Sequence, residues 1–210
     1  MLLPRIKRLI FNWLYHPLAF TYDLVAGAVS LGHWNEWGRQ TLPLIEGTRV
    51  LELGHGPGYL QLSLRALNLS VVGLDESRQM GRLASGRLRR EGLAELNLAR
   101  GLAQCLPFPQ ASFDTLVSIF PSEYIFDGRT LAEARRVLVP GGRFVVMPVA
   151  WPSNPLLAWL FRITGESPAP ALDVIEPKIK PPFIQAGFTT EIETLDVESG
   201  TLMIVIATLE

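Results

Sequence analysis

The stretch VLELGHGPGYL, from Val50 to Leu60, places three glycines within five residues directly after an apolar run that holds one carboxylate, Glu52. A strand that ends in Gly54, Gly56 and Gly58 and resumes as YLQLSLRAL has to turn tightly into a helix. Glycine supplies the backbone freedom for such a turn and lets something approach the main chain closely. A second β-rich run, SVVGLD from Ser70 to Asp75, follows the helix-like segment from Tyr59 to about Leu67. Strand, turn, helix and strand make a βαβ unit.

The rhythm continues. After Asp75, Met80, Leu83, Ala84 and Leu88 recur at helical spacing, with Arg78, Arg82, Arg87, Arg89 and Arg90 largely elsewhere on the wheel, as on a solvated face. Gly92 reads as the stop of that helix. NLAR is a short third strand leading into the loop Gly101 to Pro109, FDTLVSIF a buried fourth, RTLAEARRVL a helix with PGG as its terminator, and RFVVMPV a fifth strand. Trp151 to Pro182 is rich in proline and tryptophan, and PPFIQAGF is helix-like. TTEIETLDV and TLMIVIATLE, separated by ESG, can form only an antiparallel pair. The fold expected is an α/β Rossmann-like, doubly wound, seven-stranded sheet, mostly parallel with an antiparallel C-terminal strand, plus N-terminal helices.

A chain of 210 residues suits one α/β domain with some decoration. Its organisation reads as an N-terminal helical substrate segment, 1–45, and a cofactor-binding domain, 46–210, in which 151–182 is an insertion covering the substrate. The formal net charge of −1 gives no field for nucleic acid. A lone cysteine, Cys105, cannot form an internal bridge, and no pair is spaced for zinc, which favours a reducing, cytoplasmic setting and no structural metal. Cys105 itself reads as a small buried apolar residue. The opening MLLPRIKRLIFNWLYHPLAF is basic and then apolar, but Asn12, His16 and Pro17 interrupt it, so an amphipathic helix is expected rather than a signal peptide or a spanning segment. The uncharged run Phe144 to Phe161 is broken by Pro148, Pro152 and Pro155 and reads as strand, turn and buried helix.

The glycine turn fits neither common phosphate-binding pattern. A dinucleotide fingerprint wants G-x-G-x-x-G and a P-loop ends in a glycine and a lysine, whereas Gly54-His55-Gly56-Pro57-Gly58 is followed by Tyr59. Asp75, about twenty residues beyond Gly54, stands where a carboxylate in this topology can accept both hydroxyl protons of a ribose. A carboxylate stabilising a helix N-terminus is the other reading, and both roles are compatible.

With the turn, the aspartate and the terminal strand pair together, the chain resembles the class I S-adenosylmethionine-dependent methyltransferases over most of Arg49 to Val149. VLELGHGPG looks like the first motif of that family, VVGLDES the ribose-binding motif, LPFPQASFDTLVSIF the fourth-strand motif and LAEARRVLVPGGRFVV the fifth. The subgroup most resembled contains the ubiquinone and menaquinone biosynthesis methyltransferases, to whose leading tyrosine-aspartate segment FTYDLVAGAVSLGHWNEWGRQTLPLI is loosely similar. The resemblance implies S-adenosyl-L-methionine as cofactor and S-adenosyl-L-homocysteine as product. It implies that Glu52, Gly54, Gly56 and Gly58 surround the methionine end and that Asp75 holds the ribose. Glu76 and Met80 would lie beside the nucleoside, Ala103 and Gln104 near the adenine edge, and Phe120 near the reactive end. Two positions depart from the pattern: Leu102 stands where relatives commonly carry an aspartate to the adenine amino group, and His55 replaces a small residue or cysteine. Gln104 is either a substitute hydrogen-bonding group or a surface amide; His55 either meets the cofactor carboxylate or packs against the N-terminal segment.

An activated methyl donor asks mainly for alignment, and a general base helps when the acceptor is a phenol, hydroxyl or acidic carbon. Candidate bases by position are Tyr22, His33, Glu123 and Tyr124, against plainer readings of His33, beside Trp34 and Trp37, as a packed histidine and of Glu123 as a helix-start carboxylate. Asp114 reads as a strand-start residue. Phe11, Trp13, Leu14, Tyr15, Trp34 and Trp37, with Trp151, Leu156, Leu157, Trp159, Leu160 and Phe161, form an apolar set that reads either as core or as the lining for a hydrophobic acceptor such as a quinone precursor, lipid or pigment. The basic first helix is suited to peripheral contact with a bilayer surface. The competing readings are an S-adenosylmethionine-binding protein without catalysis and a nucleotide-cofactor oxidoreductase.

Overall fold

The computed structural model describes residues 33–153 and 172–210. Expectations for the first helix, for Tyr22, for Phe11, Trp13, Leu14 and Tyr15, and for Leu156, Leu157, Trp159, Leu160 and Phe161 lie outside the described residues. A short helix α1 (Trp34–Arg39) precedes β1 (Arg49–Leu53), α2 (Tyr59–Ala66), β2 (Ser70–Asp75), α3 (Arg78–Arg90), β3 (Leu98–Arg100) and β4 (Phe113–Ile119). Then come α4 (Gly128–Val137), β5 (Leu138–Pro152), α5 (Leu172–Gln185), β6 (Phe188–Val197) and β7 (Gly200–Leu209). The seven strands form one sheet in the order β3-β2-β1-β4-β5-β7-β6. The first five are mutually parallel, and β7 runs antiparallel to both its neighbours, as the alternation of elements requires.

Strand alternation divides the core. Leu51, Leu53, Leu116, Phe144 and Val146 face one layer, where Leu131 of α4 and Phe183 of α5 close the packing. Val50, Val117, Val145 and Met147 face the other, against Leu60 and Leu64 of α2 and Trp37 of α1. Helices on both faces explain why the central strands are apolar throughout. Caps set the helix ends: Ser77 Oγ accepts the Met80 N–H at 3.3 Å at the start of α3. Gly92, at φ +78°, ends it with the Gly92 N–H on Arg89 O and the Leu93 N–H on Leu88 O, the paired bonds of a Schellman stop.

Three local expectations are corrected. Pro140-Gly141-Gly142 does not terminate α4; it lies inside β5, where the register against β4 shifts between Phe113↔Leu138 and Thr115↔Arg143. Gly141 at φ +76° makes this bulge, and a β-carbon at Gly142 would stand 2.9 Å from the carbonyl oxygens of Asp114 and Val139. Helix α5 begins at Leu172 and runs through Pro177, Pro181 and Pro182. Prolines disfavour a helix interior, but fully buried Phe183, edge-on to Phe126, Phe144 and Phe188, offsets that local preference. Cys105 is exposed: its N–H closes a turn onto Leu102 O that sends Ala103 and Leu106 inward instead.

Asp114 is a strand-start pin. Its Oδ2 accepts the Thr48 and Arg49 N–H groups at 2.9 Å, and the Arg49 guanidinium reaches Oδ1 at 2.5 Å, tying β4 to β1 at the end remote from the glycine turn. Gly47, at φ +70°, leaves room for this, since a β-carbon there would overlap Asp114 Cβ at 2.3 Å. The Arg49 side-chain bonds and the two N–H groups hold the carboxyl down at about 2, from 3.8. A depressed acid stabilises the fold above its unfolded value and withdraws that support as pH falls through its folded one, so the window runs from 3.8 towards 2. Asp114→Asn is expected to lose about 1–3 kcal/mol at neutral pH in urea unfolding, and to show a smaller loss of stability than the parent between pH 4 and 2.

Candidate functional site

The sheet order reverses between β1 and β4, where an open α/β sheet leaves a crevice at the carboxyl ends of its strands. There the glycine turn, α1 and the start of α2 line an open cleft. The three glycines serve three different needs. A β-carbon at Gly54 (φ +71°) would come within 2.6 Å of Tyr124 Oη, so the bare backbone admits that hydroxyl. Gly56 (φ +50°) turns its N–H onto Asp75 Oδ2 at 2.9 Å. Gly58 (φ +84°) lets the turn seat on α3, because a β-carbon would meet Ala84 Cβ at 2.9 Å and Cα at 3.1 Å.

Asp75 also accepts the Ser77 N–H on Oδ1 at 2.8 Å, so one side chain fastens the turn and the start of α3 together. Each carboxylate oxygen retains a lone pair for a further donor. On β1, alternation puts Glu52 beside Val50 on the α2 side, where it is 3% exposed and accepts a hydrogen bond from Gln61 Nε2 at 2.6 Å. Gln61 leads on to the partly buried Arg65, which is held by Val71 O and Leu96 O. Burial first, and then the negative charge of Asp75, push Glu52 from 4.5 up to about 8, with the Gln61 hydrogen bond opposing.

An acid raised in the folded state stabilises the protein fully below its unfolded value, and that support is lost as pH rises through the folded one. Between pH 4.5 and 8 the parent protein is therefore expected to lose stability that the Glu52→Gln variant keeps, a difference visible in thermal unfolding measured across that window. The same pH slope in both proteins would contradict the assignment.

His55 is 3% exposed, and its Nδ1 lies 2.7 Å from Gly56 O. A carbonyl can only accept, which fixes the proton on Nδ1. Burial lowers its pKa despite nearby Asp75, so the ring is neutral. Trp34 and Tyr59 put aromatic rings on the cleft. Packed against Trp34, Phe120, following β4 at φ +48°, has its ring 4.2 Å from Trp34 and 6.2 Å from Trp37. A non-glycine residue in this conformation is strained and held by its surroundings, here by its N–H on Met147 O at 2.7 Å. Trp37 Nε1 donates to Ser199 Oγ at 2.9 Å, which locks α1 to the β6–β7 turn.

The structure thus gathers Glu52, Gly54, His55 and Gly56 on the cleft, with Asp75 and Tyr124 fastened to the same turn. Gly58, Glu76, Met80, Ala103, Gln104 and Phe120 do not line it. Glu76 is exposed, its carbonyl taken by Arg100 Nε; Met80 and Ala103 are buried, and Gln104 hydrogen-bonds Asp127. Leu102, at the position of the usual aspartate, is half exposed. Glu123 is exposed at the start of a short 3-10 turn. His33 stacks on Trp37 and bonds Glu36 Oε2 at 2.6 Å, outside the cleft lining. Sequence reasoning missed Asn35, Gly38 and Arg39, which with Trp34 put one face of α1 on the cleft. The signal was their i, i+1, i+4, i+5 spacing in WNEWGR.

Residues 50–142 match the family model described as "Methyltransferase domain". The chain is 32% identical over 165 residues to the demethylmenaquinone methyltransferase of Thermus thermophilus, covering 76% of this chain and 74% of that protein. It is 30% identical over 155 residues to the ubiquinone/menaquinone biosynthesis C-methyltransferase of Francisella philomiragia, covering 70% of this chain but only 62% of that protein's length. The crystal structure of a SAM dependent methyltransferase from Aquifex aeolicus superposes with a TM-score of 0.60 at 19% identity, over 85% of this chain and 93% of that one.

Proposed function

The chain belongs to the class I S-adenosylmethionine-dependent methyltransferases, and from that premise we propose that it transfers a methyl group from S-adenosylmethionine to a small hydrophobic acceptor. The observation that carries the reading is Glu52, a buried acid beneath the glycine turn with Asp75 close enough to feel its charge. Burial keeps Glu52 largely protonated at neutral pH, and a ligand that brings positive charge would favour its ionised form, as a sulfonium amino acid does. The pyrophosphate of a dinucleotide would instead oppose that ionisation, at a turn that also lacks the dinucleotide spacing.

The residues present fit the cofactor. Asp75 would take the ribose hydroxyls on its remaining lone pairs while keeping the turn in place, and Glu52 with the bare backbone of Gly54 and Gly56 would receive the methionine end. Leu102 offers adenine an apolar contact instead of a carboxylate. The bound sulfonium supplies a methyl group that is already activated. The chain's own contribution is then to align the reactants and keep water out, tasks suited to Trp34, which lines the cleft and is held by its ring contact with Phe120 and by the Trp37–Ser199 bond of the same helix. Tyr124, with its hydroxyl over Gly54 and 3.4 Å from Ser118 Oγ, is the base candidate the fold brings nearest the turn.

The aromatic rings of Trp34 and Tyr59 on the cleft suit a phenolic or quinol-like acceptor, and the names of the quinone-biosynthesis relatives support that class. No helix among the described residues is long and apolar enough to cross a membrane. The basic leading segment would suit peripheral contact with a surface that carries such an acceptor. The test is methyl transfer from labelled S-adenosylmethionine to prenylated quinols, simple catechols and a polar amine. Label appearing in the quinols or catechols supports the reading. Tight cofactor binding with no transfer to any of them would favour a binding protein without catalysis, and transfer to the amine alone would displace the hydrophobic acceptor.

A further inference from the structure

We propose that an arginine stripe on α3 is a docking surface for a bilayer of anionic headgroups, a purpose that rests on the hydrophobic acceptor proposed above. Arg78, Arg82, Ser85 and Arg89 recur at i, i+4, i+7 and i+11 and so share one face of the helix. Met80, Ala84 and Leu88 take the opposite face into the protein, which leaves the arginines of the stripe exposed. With Leu98, Ala99 and Arg100 of β3, the stripe lines an open groove. His55 lines both this groove and the cofactor cleft, so the two adjoin.

The charge of the groove is uncompensated. Arg78, Arg82 and Arg89 have no hydrogen bond or ion pair among the described residues, and Arg100 uses Nε alone, on Glu76 O at 2.9 Å. Asp75 is the one acid among the described residues of the lining, and its oxygens hold the Gly56 and Ser77 N–H groups. The whole chain carries a formal net charge of −1, so the positive excess is local. At the rise of an α-helix, Arg78 and Arg89 stand about 16 Å apart along the axis. That span is too long for one phosphate and meets several headgroups. The described lining offers no Phe, Tyr or Trp on which a base could stack, which speaks against a single-stranded nucleic acid. Clustered arginines on an amphipathic helix attract an anionic membrane, each adding a similar increment near the surface. A bilayer on the stripe would bring the neighbouring cleft to the phase that carries a hydrophobic acceptor.

The test is co-sedimentation of the full chain with vesicles of phosphatidylcholine, with and without phosphatidylglycerol, at low and high salt. The parent is expected to bind only the anionic vesicles and to leave them as salt rises. Arg78→Gln/Arg82→Gln/Arg89→Gln is expected to weaken that binding by about tenfold to a hundredfold. Arg129→Gln/Arg135→Gln/Lys178→Gln removes the same charge from exposed positions on α4 and α5 and should stay within about twofold of the parent. Parent-like binding by the stripe variant overturns the proposal, since the basic leading segment would then suffice. An equal loss in the control variant overturns it too, because the attraction would be one of net charge. So does tighter binding of the parent to a single-stranded oligonucleotide that the stripe substitutions abolish, which would assign the surface to nucleic acid. Calorimetric titration with S-adenosylhomocysteine keeps the two readings apart, and the stripe variant is expected to bind it like the parent. Stripe-dependent vesicle binding in a chain that binds no S-adenosylhomocysteine supports the docking surface and removes the cofactor reading alone.

Discussion

Asp75→Ala is expected to weaken S-adenosylhomocysteine binding by about a hundredfold or more, because one side chain performs two tasks. It anchors the Gly56 and Ser77 N–H groups, and on the proposed reading its remaining lone pairs would receive the ribose hydroxyls. Alanine removes both the ligand and the brace that shapes the turn. Asp75→Asn should be milder: its amide oxygen can still accept one of the two N–H groups, while its NH2 faces the other. Titration of both variants, with circular dichroism to establish that they are folded, checks the order. Parent-like affinity in the alanine variant would show that Asp75 is only a structural brace.

Gly58→Ala is expected to destabilise the fold by about 2–4 kcal/mol, the sum of a left-handed backbone conformation and an overpacked contact. The new methyl group would press on the Ala84 main chain, which cannot swing aside as a long side chain could. Gly81→Ala gives the opposite sign within α3, since no atom lies within 4 Å of a β-carbon there and alanine is the better helix former by about 0.5–1 kcal/mol. Urea unfolding midpoints of the two variants should move in opposite directions.

The sheet was legible because its signals are local and repeated. Apolar runs bounded by glycines and carboxylates mark β1, β2 and β4, and the short ESG connection forces β6 and β7 to be antiparallel. Pro140-Gly141-Gly142 misleads because the same residues that stop a helix also make a bulge, and only the register against β4 separates the two. Helix α5 was underestimated for a tertiary reason: its prolines speak against it locally, and burial of Phe183 cannot be read from neighbours in sequence.

The site was legible as motifs and less so as roles. The glycine turn announces a close approach without saying what approaches, and the answers differ at Gly54, Gly56 and Gly58: a tyrosine hydroxyl, a carboxylate and a helix. Glu52 was legible as a site residue only through the family resemblance; its raised pKa comes from alternation, which buries it beneath α2 against the opposing hydrogen bond of Gln61, nine residues on. Arg39 escaped notice because a single arginine on a six-residue helix resembles any solvated charge until the fold sets it on the cleft. Where a motif's residues contact each other through the backbone, sequence spacing reports them; where the partner comes from another layer, it does not.

The central claim is that the cleft at the glycine turn takes a sulfonium nucleoside with its amino-acid end on Glu52. Calorimetric titration of the unaltered protein with S-adenosylmethionine, S-adenosylhomocysteine and NAD tests it most directly. The account predicts saturable one-to-one binding of the first two and none of NAD. Binding of NAD in preference, or of none of the three, would contradict it.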